Sequence, residues 1–216
     1  MKYAKVIGAM SACIMLATAS AGAAVRSADV SPNADVTLYL GEPSEISGVR
    51  VHNYWPGGFR LEIEGLTAIP GGTPVQEGFQ LLDNTLLDVR TDHAVDGNMR
   101  LRVRIRYADA ARRMGLSLAR EKELVLMRRG RKIGGEMMWM PIREAMRRRG
   151  IAAAKRMKGG AVFTLGAWGN DPNDQYVWGV LDAAGSYAVG IPEPSAVGLL
   201  AGGAIFMVLG RRRQGA

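Results

Sequence analysis

The most regular chemistry-bearing pattern in the chain is Arg100, Arg102, Arg104 and Arg106, four cations at every second position. On an extended strand this spacing puts four guanidinium groups on one face, about 7 Å apart. Such a row can bind acidic polysaccharide, anionic lipid or nucleic acid through multiple salt-sensitive contacts. It can equally be a solvated strand face that keeps an edge unpaired and offsets acidic residues elsewhere. Further cations follow at Arg128, Arg129, Arg131, Lys132, Arg147, Arg148, Arg149, Lys155, Arg156 and Lys158. Nucleic acid is the weakest of the three partners, because residues 128–158 hold only Trp139 for base stacking, and no nucleic-acid partner is expected.

Other reactive residue types are sparse. Glu62 and Glu64 share one strand face and are the one pair of the glycosidase type, although their separation of about 7 Å is simply the strand repeat. The two histidines, His52 and His93, are too few for a histidine-rich metal site. His93 follows Asp92, but adjacent strand residues point to opposite faces, so a surface turn is the plainer reading than a general base. Asn170-Asp171-Pro172-Asn173-Asp174 is rich in oxygen ligands yet fits no EF-hand spacing, and reads as an Asx-rich turn between strands. Nucleophile elbows, phosphate loops and dinucleotide fingerprints are absent from the sequence, which argues against the common hydrolases and nucleotide enzymes. No catalytic residue, metal or cofactor is assigned.

The elements that would position these groups are mainly strands. Residues 99–107 alternate strictly, with five apolar side chains on one face and the four arginines on the other. Strands are also expected over 36–40, 59–63, 86–90, 123–127, 162–165, 176–181 and 186–189, separated by Gly, Pro and Asn turns. The segments 86–90 and 99–107, joined through Asp96-Gly97-Asn98, suggest an antiparallel hairpin. Pro141 is placed to open a short helix through Arg149. Without βαβ spacing, this pattern predicts an antiparallel β-sandwich. Tyr176 and Trp178 share a face at strand spacing and read as core rather than as a sugar-stacking surface.

Charge is divided along the 216-residue chain, whose net charge is +8. Residues 24–99 hold 4 basic and 11 acidic side chains, whereas residues 100–158 hold 19 basic and 5 acidic. The asymmetry fits either an anionic partner or an internal acid–base face. Its 48% hydrophobic content excludes a wholly disordered chain.

Both ends carry processing patterns. Lys2 and Lys5, an uncharged run over 6–16 and the small residues Ala19-Ser20-Ala21-Gly22-Ala23 have the layout of a secretory signal peptide over 1–23. Ala21 and Ala23 fit the small-residue positions that a signal peptidase requires. Cys13, the only cysteine, falls inside this segment in a poor lipobox, so a mature chain cut after Ala23 has no thiol chemistry. At the other end, Pro192-Glu193-Pro194 precedes an uncharged stretch over 195–210 and then Arg211-Arg212-Arg213. As a helix those uncharged residues span about 24 Å, enough for a transient membrane segment with the arginines on the cytoplasmic side.

This ending resembles the PEP-CTERM sorting signal. The motif residues are Pro192, Glu193 and Pro194, followed by the apolar stretch 195–210 and the basic tail Arg211, Arg212 and Arg213. The resemblance implies removal of the tail by an exosortase-type enzyme, at least transient insertion in the inner membrane, and association with exopolysaccharide or biofilm matrix. Residues 99–190 also resemble a β domain of other exported PEP-CTERM proteins. The matching segments include Leu101 to Asp109, Trp139-Met140-Pro141-Ile142 and Tyr176 to Asp182, which are core and turn positions carrying no catalytic residues.

The organisation expected is a signal peptide over 1–23, one exported β-rich domain over 24–190 and a sorting signal over 191–216. The function expected is a non-enzymatic protein of the cell envelope, cell surface or extracellular matrix that holds acidic exopolysaccharide on its arginine face. A small envelope glycan hydrolase using Glu62 and Glu64 is the alternative.

Overall fold

The computed structural model describes residues 25–40, 47–66, 72–131, 135–151 and 163–193. The signal-peptide residues 1–23, Pro194, the apolar stretch 195–210 and the basic tail lie outside them, as do Lys132, Lys155, Arg156 and Lys158. No helix among the described residues is long and apolar enough to cross a membrane.

The described chain is mainly β. Its strands are β1 (Val25–Val30), β2 (Asp35–Leu40), β3 (Ser47–Asn53), β4 (Phe59–Leu66), β5 (Phe79–Leu81), β6 (Leu86–Thr91), β7 (Met99–Arg106), β8 (Val125–Arg131), β9 (Met137–Pro141), β10 (Trp168–Asp171), β11 (Tyr176–Leu181) and β12 (Gly185–Pro192). Three short helices intervene: α1 (Ala108–Arg113), α2 (Leu118–Glu121) and α3 (Ile142–Arg148). One antiparallel sheet runs β1-β4-β6-β12-β8-β9, with β5 also on β12, and the other runs β10-β11-β7-β3-β2. Alternating apolar residues from both sheets meet in one core. Leu61, Ile63, Val89, Leu126 and Val189 come from the first sheet, and Val49, Val51, Leu101, Val103, Ile105 and Val177 from the second. This arrangement is consistent with the sandwich expected from the alternation.

Successive strands cross between sheets, and this corrects the hairpin expected from 86–90 and 99–107. β6 lies in the first sheet between β4 and β12, whereas β7 lies in the second between β11 and β3. β6 and β7 each turn an apolar face to the core, and crossing lets these faces bury each other instead of lying side by side. The β1–β2 and β3–β4 connections cross in the same way. Asn53, fully buried, ties them together: its amide donates to the Ser31 and Gly57 carbonyls at 3.1 and 2.9 Å and accepts from Trp55 N–H at 2.8 Å. A second polar lock joins Tyr107 Oη to Asn170 Oδ1 at 3.1 Å, while Asn170 Nδ2 donates to the carbonyls of Glu121 and Leu124. Burial raises the Tyr107 hydroxyl well above the usual phenol range.

Two further expectations are corrected. Residues 163–165 of the strand expected over 162–165 belong to no strand. Ala167 N–H donates to Thr164 C=O, and Gly166 takes a positive φ of 84°, which closes a turn that extended backbone cannot enter. The strand expected over 123–127 begins instead at Val125 and continues to Arg131, because Glu123 and Leu124 N–H groups close the end of α2. The helix anticipated after Pro141 is α3, with Pro141 at its N-cap as well as ending β9. The final strand, expected over 186–189, runs from Gly185 to Pro192: Ile191 is 4% exposed in the core and Pro192 pairs with Phe79.

Candidate polyanion-binding face

β7 is central in its sheet, and its alternation sends Met99, Leu101, Val103 and Ile105 into the core and the four arginines outward. Antiparallel partners share a face, so the neighbouring strands furnish the rest of this surface. Arg100 stands opposite His52 and Arg102 opposite Arg50 and Val180. Arg104 stands opposite Gly48 and Trp178, and Arg106 opposite Tyr176. The outward residues of edge strand β2 are Asp35, Thr37 and Tyr39.

Each of four arginines rests on a different aromatic ring. The Arg104 guanidinium carbon lies 3.9 Å from the Tyr176 ring centre, Arg102 5.3 Å from Trp178, Arg50 5.0 Å from Phe163 and Arg100 5.1 Å from Tyr54. Arg102 and Arg104 lean onto the ring diagonal to their own cross-strand partner, two residues away, which is within reach of long side chains. Arg106 has no such ring, since the diagonal position falls beyond the start of β11; it lines a small open cavity with Ser47, Asp109 and Arg113. A cation stacked on a ring keeps its N–H edge free and is held in place before any ligand arrives, with each stack contributing about 0.5–2 kcal/mol.

Tyr176 and Trp178 do share a face and are buried, at 4% and 0% exposure, but on the outside of the sheet, away from the shared core. With Phe163, Ala167 and Val180 they form a separate cluster beneath the arginines.

Among the described residues, no carboxylate pairs with Arg100, Arg102, Arg104 or Arg106. Asp35 on the same face is taken by Arg50 at 3.3 Å and His52 at 3.0 Å. The Nε atoms of Arg102 and Arg104 are buried with no hydrogen-bond partner among the described residues. Burial pushes the Arg102 guanidinium below its ordinary range, and the like charges of Arg104 and Arg50 push it the same way. Arginine stays protonated regardless, so Arg102 is a half-buried cation with no carboxylate partner among the described residues.

The later cations do not join this row. Glu144 accepts two bonds from Arg147 at 2.8 and 2.9 Å and one from Arg148 at 2.8 Å, which hold its carboxyl down to about 2. Arg149 bonds Asp182 at 2.8 Å and lies 3.7 Å from Asp96. Arg128 donates to the Ala184 carbonyl at 2.8 Å. Internal neutralisation therefore describes residues 144–149 and not the strand row.

The remaining sequence candidates take structural roles. Glu62 and Glu64 do share the outer face of the first sheet, where Arg90 contacts both, at 3.7 and 3.0 Å, and Asp88 at 2.7 Å. Arg90 thus contacts both members of the pair. His93 and Asp92 do touch, Nδ1 to Oδ1 at 2.8 Å, which corrects the expectation that they point apart: they sit in a bend just past β6, where strand alternation does not apply. Asp92 also accepts from Arg60 N–H, and these bonds, His93 foremost, hold its carboxyl below the usual range. Asp171 accepts from the N–H groups of Asn173 and Asp174, making the Asx turn expected between β10 and β11.

The sequence reading missed Arg50, Tyr39, Tyr54 and Phe163 as parts of this face. Val49-Arg50-Val51-His52 carries the same alternation as β7 in a shorter run and was legible; Phe163 arrives from a turn and has no local signature. The chain matches no family model, no curated protein and no solved structure.

Proposed function

We propose that this chain is a non-enzymatic exported protein of the cell envelope or extracellular matrix whose β-sandwich domain holds acidic polysaccharide on the arginine-bearing sheet. The single observation that supports the binding role is a set of four guanidinium groups, each seated on its own ring, with the β7 members lacking any carboxylate partner among the described residues. Stacking fixes the planar forks that carboxylate groups accept bidentately. Tyr176 and Trp178 lie under the arginines instead of standing open as a base-stacking platform, which disfavours nucleic acid.

Export and attachment rest on the two ends of the sequence. In this reading a signal peptidase removes 1–23, and the sorting signal over 191–216, resembling PEP-CTERM, inserts its apolar helix in the inner membrane until an exosortase-type enzyme trims it. The intact mass of protein recovered from its native host is expected to correspond to a chain beginning near Ala24 and ending within 192–194, with or without added mass. Recovery of a species that retains Arg211 to Arg213 would overturn the sorting step.

The purified protein is expected to bind polygalacturonate and not neutral dextran, with affinity falling steeply as salt rises. Absence of binding, or binding indifferent to salt between 50 and about 200 mM, would overturn the binding role.

A further inference from the structure

We infer that Tyr39 makes this face a reader of sugar rings and not of negative charge alone, an inference that rests on the polyanion-binding role proposed above. Of the aromatic side chains on or beside the face, Tyr54, Phe163, Tyr176 and Trp178 each already carry an arginine. Tyr39 does not: its ring has no aromatic or cationic stacking partner among the described residues, and it is 45% exposed.

Its placement is not that of a stray surface residue. Tyr39 points outward from edge strand β2, opposite Gly48, and is therefore diagonal to Arg50 across the β2–β3 pair. Gly48 stands in turn opposite Arg104, which puts the Tyr39 and Arg104 backbones two strands, about 10 Å, apart. One open ring thus borders a row of ring-seated cations, of which Arg102 and Arg104 are partly buried and lack a carboxylate partner among the described residues.

A ligand matching both features has an apolar ring face next to an anionic group, repeated along a chain. A polyuronate supplies this: carboxylates for Arg102 and Arg104, and the C–H face of a pyranose for Tyr39. Aromatic rings are suited to such contact because they offer large rigid apolar area. Polyphosphate satisfies the cations alone, whereas single-stranded nucleic acid brings flat bases in place of pyranose faces.

The test measures binding of polygalacturonate, long-chain polyphosphate and oligo(dT) to the purified protein, to Tyr39→Ala and to Tyr39→Phe. Tyr39→Ala is expected to weaken polygalacturonate binding about tenfold, the size of one lost stacking contact, while Tyr39→Phe retains it and polyphosphate binding is unchanged. An equal loss for polygalacturonate and polyphosphate, or no loss for either, would overturn the ring-reading role while leaving charge recognition standing. A Tyr39 dependence confined to oligo(dT) would overturn it in favour of base stacking. Failure of the unsubstituted protein to bind any of the three would instead overturn the polyanion role itself.

Discussion

A chain ending at Gly190 is expected to be less stable than one ending at Glu193 by about 4 kcal/mol, a fall in Tm of roughly 10 °C. Three residues carry the difference. Ile191 is buried in the shared core, and removing its side chain costs about 2–3 kcal/mol. The Pro192 carbonyl accepts from the Arg120 guanidinium, and Glu193 N–H donates to Gly78 C=O at 2.8 Å. Ile191 and Pro192 are also two of the three β12 residues that pair with β5, which has no other partner strand among the described residues. Thermal unfolding of the two shortened chains checks this; equal midpoints would show that the domain ends at 190. The boundary bears on the processing proposed above, because trimming within 192–194 would fall at or just past the end of β12.

Replacing Arg102 and Arg104 together with methionine is expected to weaken polygalacturonate binding at least about 100-fold, from the loss of two charge-assisted contacts. The fold is expected to tolerate the change, with stability within about 1 kcal/mol of the parent. Methionine keeps apolar cover over Trp178 and Tyr176, and removing a half-buried cation without a counter-ion offsets the lost stacking. Arginine-to-lysine replacement at the same positions keeps charge but loses the planar fork and is expected to fall between the two. Binding isotherms beside thermal melts separate the effects. Undiminished affinity in the methionine variant would remove these arginines from the site, and a collapse of Tm would show that they act as structural cover.

The outer faces of the two sheets differ in charge, although each sheet takes strands from both halves of the chain. Glu62, Glu64 and Asp88 project from the first sheet around Arg90, whereas Arg50, Arg100, Arg102 and Arg104 project from the second. No described carboxylate of residues 24–99 meets the β7 row. An ion pair that does cross the halves is Arg149 with Asp96, at 3.7 Å. Charge asymmetry was visible in composition alone; which charged residues share a face was not, because it depends on which sheet each strand joins.

Local alternation is enough to place residues 99–106 in a strand with four arginines on one side, since the period of two is a property of extended backbone itself. The same reasoning located β11 within its observed limits and the Asx turn before it. Partnership is another matter. β6 and β7 are adjacent in sequence and lie in different sheets, while β3, β7 and β11 come together from separations of about 50 and 75 residues. Which ring lies beneath which arginine follows from the register of those distant pairings. That register is chosen by burying both apolar faces in one core, an interaction no local window of residues contains.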